Sequence, residues 1–297
     1  MATIYFAKFN INEKINRVRD GSENLDKLLN KVFNGINQKL KVKDEENESI
    51  IYKFVNLDYI SSKMIINGDI VKIYDGIDSN YDEKNDEVID TFAKNKADYV
   101  SFSFDVRNEI IGFVPKQSFS RNSFINYFRL LVEQCVPSIG ETEIILLKSK
   151  NKLENEFKKM KKMRDLEVFL IPENGDQDAF KNILDDVLPE VQETNAQHLN
   201  IKLKGTLKEP LDKDSKLIKK FKSIALMAYA TLKASGKNSE GDEFKIDSEK
   251  DLLLTKDIRA DNRNSLSEIA ELTQKGVESY RIQKIQEVIE IERGRES

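Results

Sequence analysis

Apolar and polar positions alternate at the start of the chain. Tyr5, Ala7, Phe9 and Ile11 fall on one side, with Lys8 and Asn10 on the other, a period of two that predicts a half-buried strand. The period then changes. Leu25, Leu28, Leu29, Val32, Phe33, Ile36 and Leu40 recur at three- and four-residue spacing, which predicts a one-sided helix with Ser22 as its N-cap. Ile50–Leu57 and Ile65–Tyr74 are β-branched and aromatic and predict strands. Residues 75–90 read as an acidic loop. Tyr99–Phe104 and Glu109–Pro115 flank Arg107-Asn108 and predict a hairpin. Ser118–Cys135 predicts a helix, stopped by Pro137 and Gly140.

The second half continues in the same mixed manner. A strand is expected at Thr142–Lys148, a basic helix at 149–164, a strand at Glu167–Ile171 and a helix at Asp178–Leu188. A strand at Leu199–Lys204 precedes a helix from Ser215 to Ala234. Two short strands follow, at Glu243–Asp247 and Asp251–Ile258. Ser265-Leu-Ser-Glu268 is a capping box that opens a helix reaching about Arg293. Strands and helices interleave with at least one hairpin, so the expected class is α+β. The expectation is two α/β sandwich-like domains with mixed or antiparallel sheets and a long C-terminal helix. They would divide as 1–138 and 139–297, at Pro137 to Gly140.

Composition removes several chemistries. The chain has 297 residues, 34% charged, with one Cys, one His and no Trp. A disulfide framework and a Cys-rich or His-based metal site are excluded by count. His198 and Cys135 could form a nucleophile pair only through folding, and Cys135 falls on the apolar face of a helix. No P-loop, G-x-G-x-x-G or G-x-S-x-G is present. The segment from Asp78 resembles the early part of a calcium loop. Glu83 stands where glycine is needed and Ile89 where the bidentate Glu belongs. No cofactor is expected, with Mg²⁺ entering only in a nuclease reading. That reading rests on Glu243-Phe-Lys245, an acidic-x-Lys spacing on an expected strand, with an Asp from 176, 212 or 214. The N-terminus reads as a strand rather than a leader, and no apolar run could span a bilayer. A cytoplasmic protein without membrane association is expected.

Charge sharpens the picture further. Totals of 48 basic and 52 acidic residues nearly cancel, which argues against a uniformly basic binder. The distribution is segregated. Residues 148–164 hold eight basic and two acidic residues, net +6; 165–190 hold one and eight, net −7; 213–222 hold five and one, net +4. If the two basic helices lie side by side, their lysines form a surface that would bind phosphates without reading bases. The candidate contact residues are Lys158, Lys159, Lys161, Lys162, Lys219 and Lys220. Ile282, Ile285 and Ile289 make a second stripe on the C-terminal helix, suited to another chain.

Ile4–Phe9, the hairpin Asp98–Pro115 and the helix opening at Ser118–Phe124 together resemble a loose group of uncharacterised bacterial proteins associated with mobile elements and phage defence. The resemblance spans about residues 1–135 and carries no catalytic residue. It implies a component of a bacterial assembly, of antiviral defence among others. The expected function is therefore a non-catalytic partner-binding component that contacts DNA, RNA or protein, as a homo- or hetero-oligomer. A metal-dependent nuclease and a homo-oligomeric scaffold are the alternatives.

Overall fold

The computed structural model describes residues 1–14, 17–18, 21–171, 196 and 198–293. The helix expected at Asp178–Leu188, and most of the acidic block, lie outside these residues. The architecture is mixed α+β, and every strand pairing described is antiparallel.

In chain order the elements begin with β1 (Ala2–Ile11), α1 (Leu25–Gly35), β2 (Val42–Lys43), β3 (Ile51–Ile60), β4 (Ile65–Asp82) and β5 (Glu87–Asp105). Then come β6 (Ile110–Phe113), α2 (Arg121–Cys135), β7 (Thr142–Leu146), α3 (Lys150–Lys159) and β8 (Lys162–Leu170). The rest are β9 (Leu199–Lys204), α4 (Lys216–Leu226), β10 (Ala230–Lys237), β11 (Glu243–Asp247), β12 (Thr255–Ile258) and α5 (Leu266–Arg293).

The first sheet has eight strands in the order β12-β1-β6-β5-β4-β3-β2, with β7 also paired to β1. One edge of β1 is shared: β12 pairs with Ala2–Tyr5 and β7 with Ala7–Ile11. The expected division at 138 and 139 falls between α2 and β7. Both β7 and β12 follow that point and hydrogen-bond to β1, which precedes it.

Alternation along β1 separates two cores. Ala7, Phe9 and Ile11 join Phe54, Phe102 and Phe104 under α1 and α2. Ile4 and Phe6 face the other way, into a core shared with α3, α4, α5 and the second sheet. That second sheet has the order β11-β10-β8-β9. Helix α5 lies on the first sheet at very close range, which two glycines allow. A Cβ on Gly276 would stand 2.6 Å from the Phe6 ring, and one on Gly112 would overlap the Thr273 side chain.

Polar groups are also buried in this layer; several are paired, while Asn10 Oδ1, Asn67 Oδ1 and Ser103 Oγ have no hydrogen-bond partner among the described residues. Lys8 Nζ lies 2.8 Å from Glu109 Oε2, and Lys148 Nζ lies 2.6 Å from Glu249 Oε1. Lys148 is wholly enclosed, and burial pushes its ammonium below the ordinary lysine range. Ser101 Oγ donates to Asp69, and Gln274 Nε2 reaches from α5 to Asp105 at 3.1 Å.

Several sequence expectations need correction. The cap of α1 is Asn24, whose Oδ1 accepts from Lys27 N–H, not Ser22. The basic helix ends at Lys159, and 162–170 is a strand. The helix expected to reach Ala234 stops at Leu226; Ala228 takes a left-handed φ of 60°, and the chain returns as β10. Ala230, Leu232 and Ala234 are buried while Thr231, Lys233 and Ser235 are less so, a period of two that was present in the sequence. Residues 75–90 are not a loop but the outer part of the β4–β5 hairpin.

A tyrosine pair closes the α2 side of the sheet. The Tyr52 and Tyr127 rings stack at 3.4 Å, and both hydroxyls donate to Asp44, at 3.3 and 2.5 Å. Burial, then the hydrogen bond and charge of Asp44, push the Tyr127 phenol up to about 12. Burial, Tyr127 and Asp44 raise Tyr52 as well. The folded chain thus keeps protons that an unfolded chain releases near 10.0. Stability from the pair is full below the unfolded value and is lost as pH rises from about 10 toward the folded values. Replacing Asp44 by Asn is expected to shift the last part of the tyrosinate absorbance titration to lower pH. An unchanged titration would remove Asp44 as a cause.

Candidate functional site

The two basic segments do come together. Helix α4 starts at Ser215, whose Oγ accepts from Ile218 N–H. Its Ile218, Phe221, Ile224 and Ala225 are buried, which turns Lys216, Lys219 and Lys220 outward. Helix α3 buries Leu153 and Phe157. Lys213 ties the two helices by donating to the carbonyls of Phe157 and Met160, at 3.0 and 2.9 Å.

Between α3, α4 and the distal part of α5 lies a groove with a cavity of 370 Å³. Five lysines line it: Lys150 from α3, and Lys216, Lys219, Lys220 and Lys222 from α4. Leu153 and Leu226 supply apolar wall, and Glu154, Glu287 and Glu290 the opposing charge. Glu287 and Glu290 are committed to Lys150, whose Nζ lies 2.8 Å from the first and 2.7 Å from the second. Burial opposes charge on Lys150, but the two glutamates outweigh it and raise its affinity for the proton. Ser223 Oγ also donates to Glu287, at 2.7 Å. Lys222 stands 5.2 Å from the Phe157 ring centre. Burial lowers its pKa, with Asp214 opposing and Lys219 and Lys213 adding to the fall. Among the described residues, Lys216, Lys219 and Lys220 have no ion-pair partner. Three ammonium groups without an ion-pair partner among the described residues, beside the neutralised Lys150, form a surface that attracts anions.

Residues 2–274 match the family model described as a domain of unknown function, DUF4747. The chain belongs to this family. No curated protein matches it. In this DUF4747 chain the sequence-predicted residues divide into three groups. Lys219 and Lys220 line the groove. Lys158 and Lys159 end α3, Lys159 pairing with Glu156 at 2.6 Å, and Lys161 and Lys162 lead into β8. None of the four lines the groove, and Lys162 Nζ donates to the Leu207 carbonyl at 3.4 Å. Ile282, Ile285 and Ile289 project from α5 into solvent, on the side away from buried Glu287. Lys150, Lys216, Lys222 and Glu287 belong to the groove without having been singled out. The charge runs contained the first three, but only helix ends and packing select them.

Glu243 and Lys245 fall on β11, at the edge of the charged face of the second sheet. Among the described residues, no group of three His, Cys, Asp or Glu could hold a metal. The carboxylate nearest in role to a partner is Asp165. Arg164 serves both acids: Nε lies 2.8 Å from Asp165 and Nη1 3.8 Å from Glu243. A guanidinium thus sits where two carboxylates would share a cation. Asp176 is outside the described residues. Cys135 Sγ faces the Asn37 carbonyl at 3.8 Å, and burial pushes its thiol up. His198 stacks on Phe169 and lies 3.9 Å from Glu143. Neither activates the other. Among the described residues, no helix is long and apolar enough to cross a membrane.

Proposed function

We propose that this protein is a non-catalytic, partner-binding component of a bacterial multi-component assembly, and that its groove and the lysines beside it contact a nucleic-acid backbone. The carrying observation is the juxtaposition of α3 and α4, which gathers Lys216, Lys219 and Lys220 around one cavity without ion-pair partners among the described residues. Lysine ammonium groups neutralise phosphates as point charges and do not read bases. Binding is therefore expected to be insensitive to sequence and steeply dependent on salt, with a slope near 0.9 per phosphate contacted on duplex DNA. Few aromatic rings accompany these lysines, so a duplex or folded backbone suits the surface better than stacked single-stranded bases. The N-terminal resemblance supports an antiphage setting. The outward stripe of Ile282, Ile285 and Ile289 supports a protein partner as the second reading.

The test is retention on immobilised duplex DNA and RNA across a salt gradient. Changing Lys158, Lys159, Lys161 and Lys162 to Glu is expected to abolish retention at low salt, and so is Lys219→Glu with Lys220→Glu. The thermal melt should stay unchanged in both. Retention with the wild-type salt slope in both variants would sink the reading.

A further inference from the structure

The β4–β5 hairpin outruns the sheet that holds its base. Strand β3 accompanies β4 only as far as the pair Ile51–Ile73. Beyond it, Tyr74–Asp82 and Glu87–Lys96 pair with each other alone. The free ribbon is about 30 Å long at roughly 3.4 Å per residue. An isolated two-stranded ribbon is marginal in water, and this one is apolar on one face. Ile77 stands opposite Phe92, and Tyr81 opposite Val88, around a 2.6 Å hydrogen bond from Ser79 to Asp90. The four apolar side chains are 61, 61, 62 and 67% exposed. Two exposed apolar pairs on one face, separated by a single polar pair, offer a contact surface.

Charge selects the occupant. Residues 74–96 hold seven acidic residues and three lysines, net −4, and Lys96 pairs with Asp78 at the base of the ribbon. Two such arms laid face to face would repel. The complementary surface on this chain is the lysine groove, whose cavity of 370 Å³ has room for one aromatic side chain between Leu153 and Leu226.

The arm points away from the groove of its own molecule. Ala97, at the base of the arm, and Arg263, just before α5, line one cavity. From there α5 follows β5 away from the arm. Gln274 reaches Asp105, Arg281 reaches Asn108, and Glu287 arrives at Lys150 in the groove. Arm and groove therefore lie at opposite ends of the molecule, with the length of α5 between them.

We propose that the acidic arm of one copy docks in the lysine groove of the next, with Tyr81 or Phe92 entering the cavity and the tip carboxylates meeting Lys216, Lys219 and Lys220. The contact is heterologous, so it builds a ring or an open filament rather than a closed two-fold dimer. It rests on the reading of the groove as an anion site, and it makes the arm a competitor of nucleic acid for that site.

The test uses the full chain at low salt without nucleic acid, by sedimentation velocity. Wild type is expected to form species larger than monomer as concentration rises. The arm variant Ile77→Ser with Phe92→Ser and the groove variant Lys219→Glu with Lys220→Glu should each be monomeric. Mixed in equal amounts, they should form a one-to-one dimer and nothing larger, because each retains one working end. A second arm variant, Asp82→Lys with Glu83→Lys and Asp86→Lys, should restore assembly when combined with the groove change in one chain. A monomeric wild type, or a mixture that stays monomeric while both variants melt like wild type, would overturn the docking. Nucleic-acid retention separates the two readings: an arm variant that keeps retention leaves the groove reading standing even where docking fails.

Discussion

Replacing Glu109 by Ala is expected to lower the free energy of unfolding by about 3–5 kcal/mol, the range for stranding one member of a buried ion pair. Glu109 sits in the turn between β5 and β6 with a left-handed φ of 58°, a conformation that ordinarily disfavours a side chain by roughly 1–2 kcal/mol. The turn nonetheless carries glutamate. Its carboxylate meets Lys8 at 2.8 Å, and its carbonyl accepts from Phe9 N–H at 2.8 Å. Lys8 is 4% exposed, and its ammonium lies 5.7 Å from the Tyr229 ring centre, so truncating Glu109 leaves a cation without its carboxylate where water has little access. Glu109→Gly relieves the backbone and still loses the pair. It should recover only part of the loss. Lys8→Met combined with Glu109→Leu removes both charges and should cost far less than Glu109→Ala. Urea midpoints of the four proteins decide the matter. A Glu109→Ala midpoint equal to wild type would show that the pair contributes nothing net.

Phe128→Ala is expected to cost a similar amount, about 3–5 kcal/mol, for a different reason. Its ring is fully buried and centres a cluster: Phe102 at 5.2 Å, Phe104 at 5.5 Å, and Phe54 and Phe124 each at 5.6 Å. Two strands and one helix supply those neighbours, so the cavity cannot close by moving a single side chain. Phe128→Leu keeps most of the volume and should cost less than about 1.5 kcal/mol. The midpoint should fall with an unchanged denaturant slope. Below its melting transition the variant should retain nucleic acid as wild type does, because Phe128 belongs to the core away from the groove.

Much of the fold was legible because period and burial agree. In α2 and in the Tyr99–Pro115 hairpin the apolar residues land where the spacing places them; β1 is the expected strand but is buried on both faces, with Ile4 and Phe6 beside enclosed Lys8 and Asn10. The failures have particular causes. In 215–234 the residues Ala228 and Leu232 fit both the helical stripe that begins at Ile218 and the alternation that continues through Ala230 and Ala234. The left-handed turn at Ala228, made by a residue with no turn signature, decides between them. In 75–90 the alternation Ile77, Ser79, Tyr81 was diluted by Asp and Asn, residues depleted in strands. Pairing to a long partner strand overrode that preference. The groove was half legible. Two basic runs announced it, but Lys150 and Glu287 are brought together from distant parts of the chain, which no local pattern encodes.

Strand β1 pairs through Ala2 with Ile258 and through Ile11 with Thr142. During synthesis the strand carrying Ile4, Phe6 and Phe9 therefore emerges long before either partner on that edge. Its open hydrogen-bonding side must wait for β7, and then for β12, until the ribosome has added the chain as far as Ile258. Pairings so distant in sequence form slowly and leave aggregation-prone edges in the interval. Yield in the cell should thus depend on how that early strand is shielded on the nascent chain, as well as on the stability of the finished sheet.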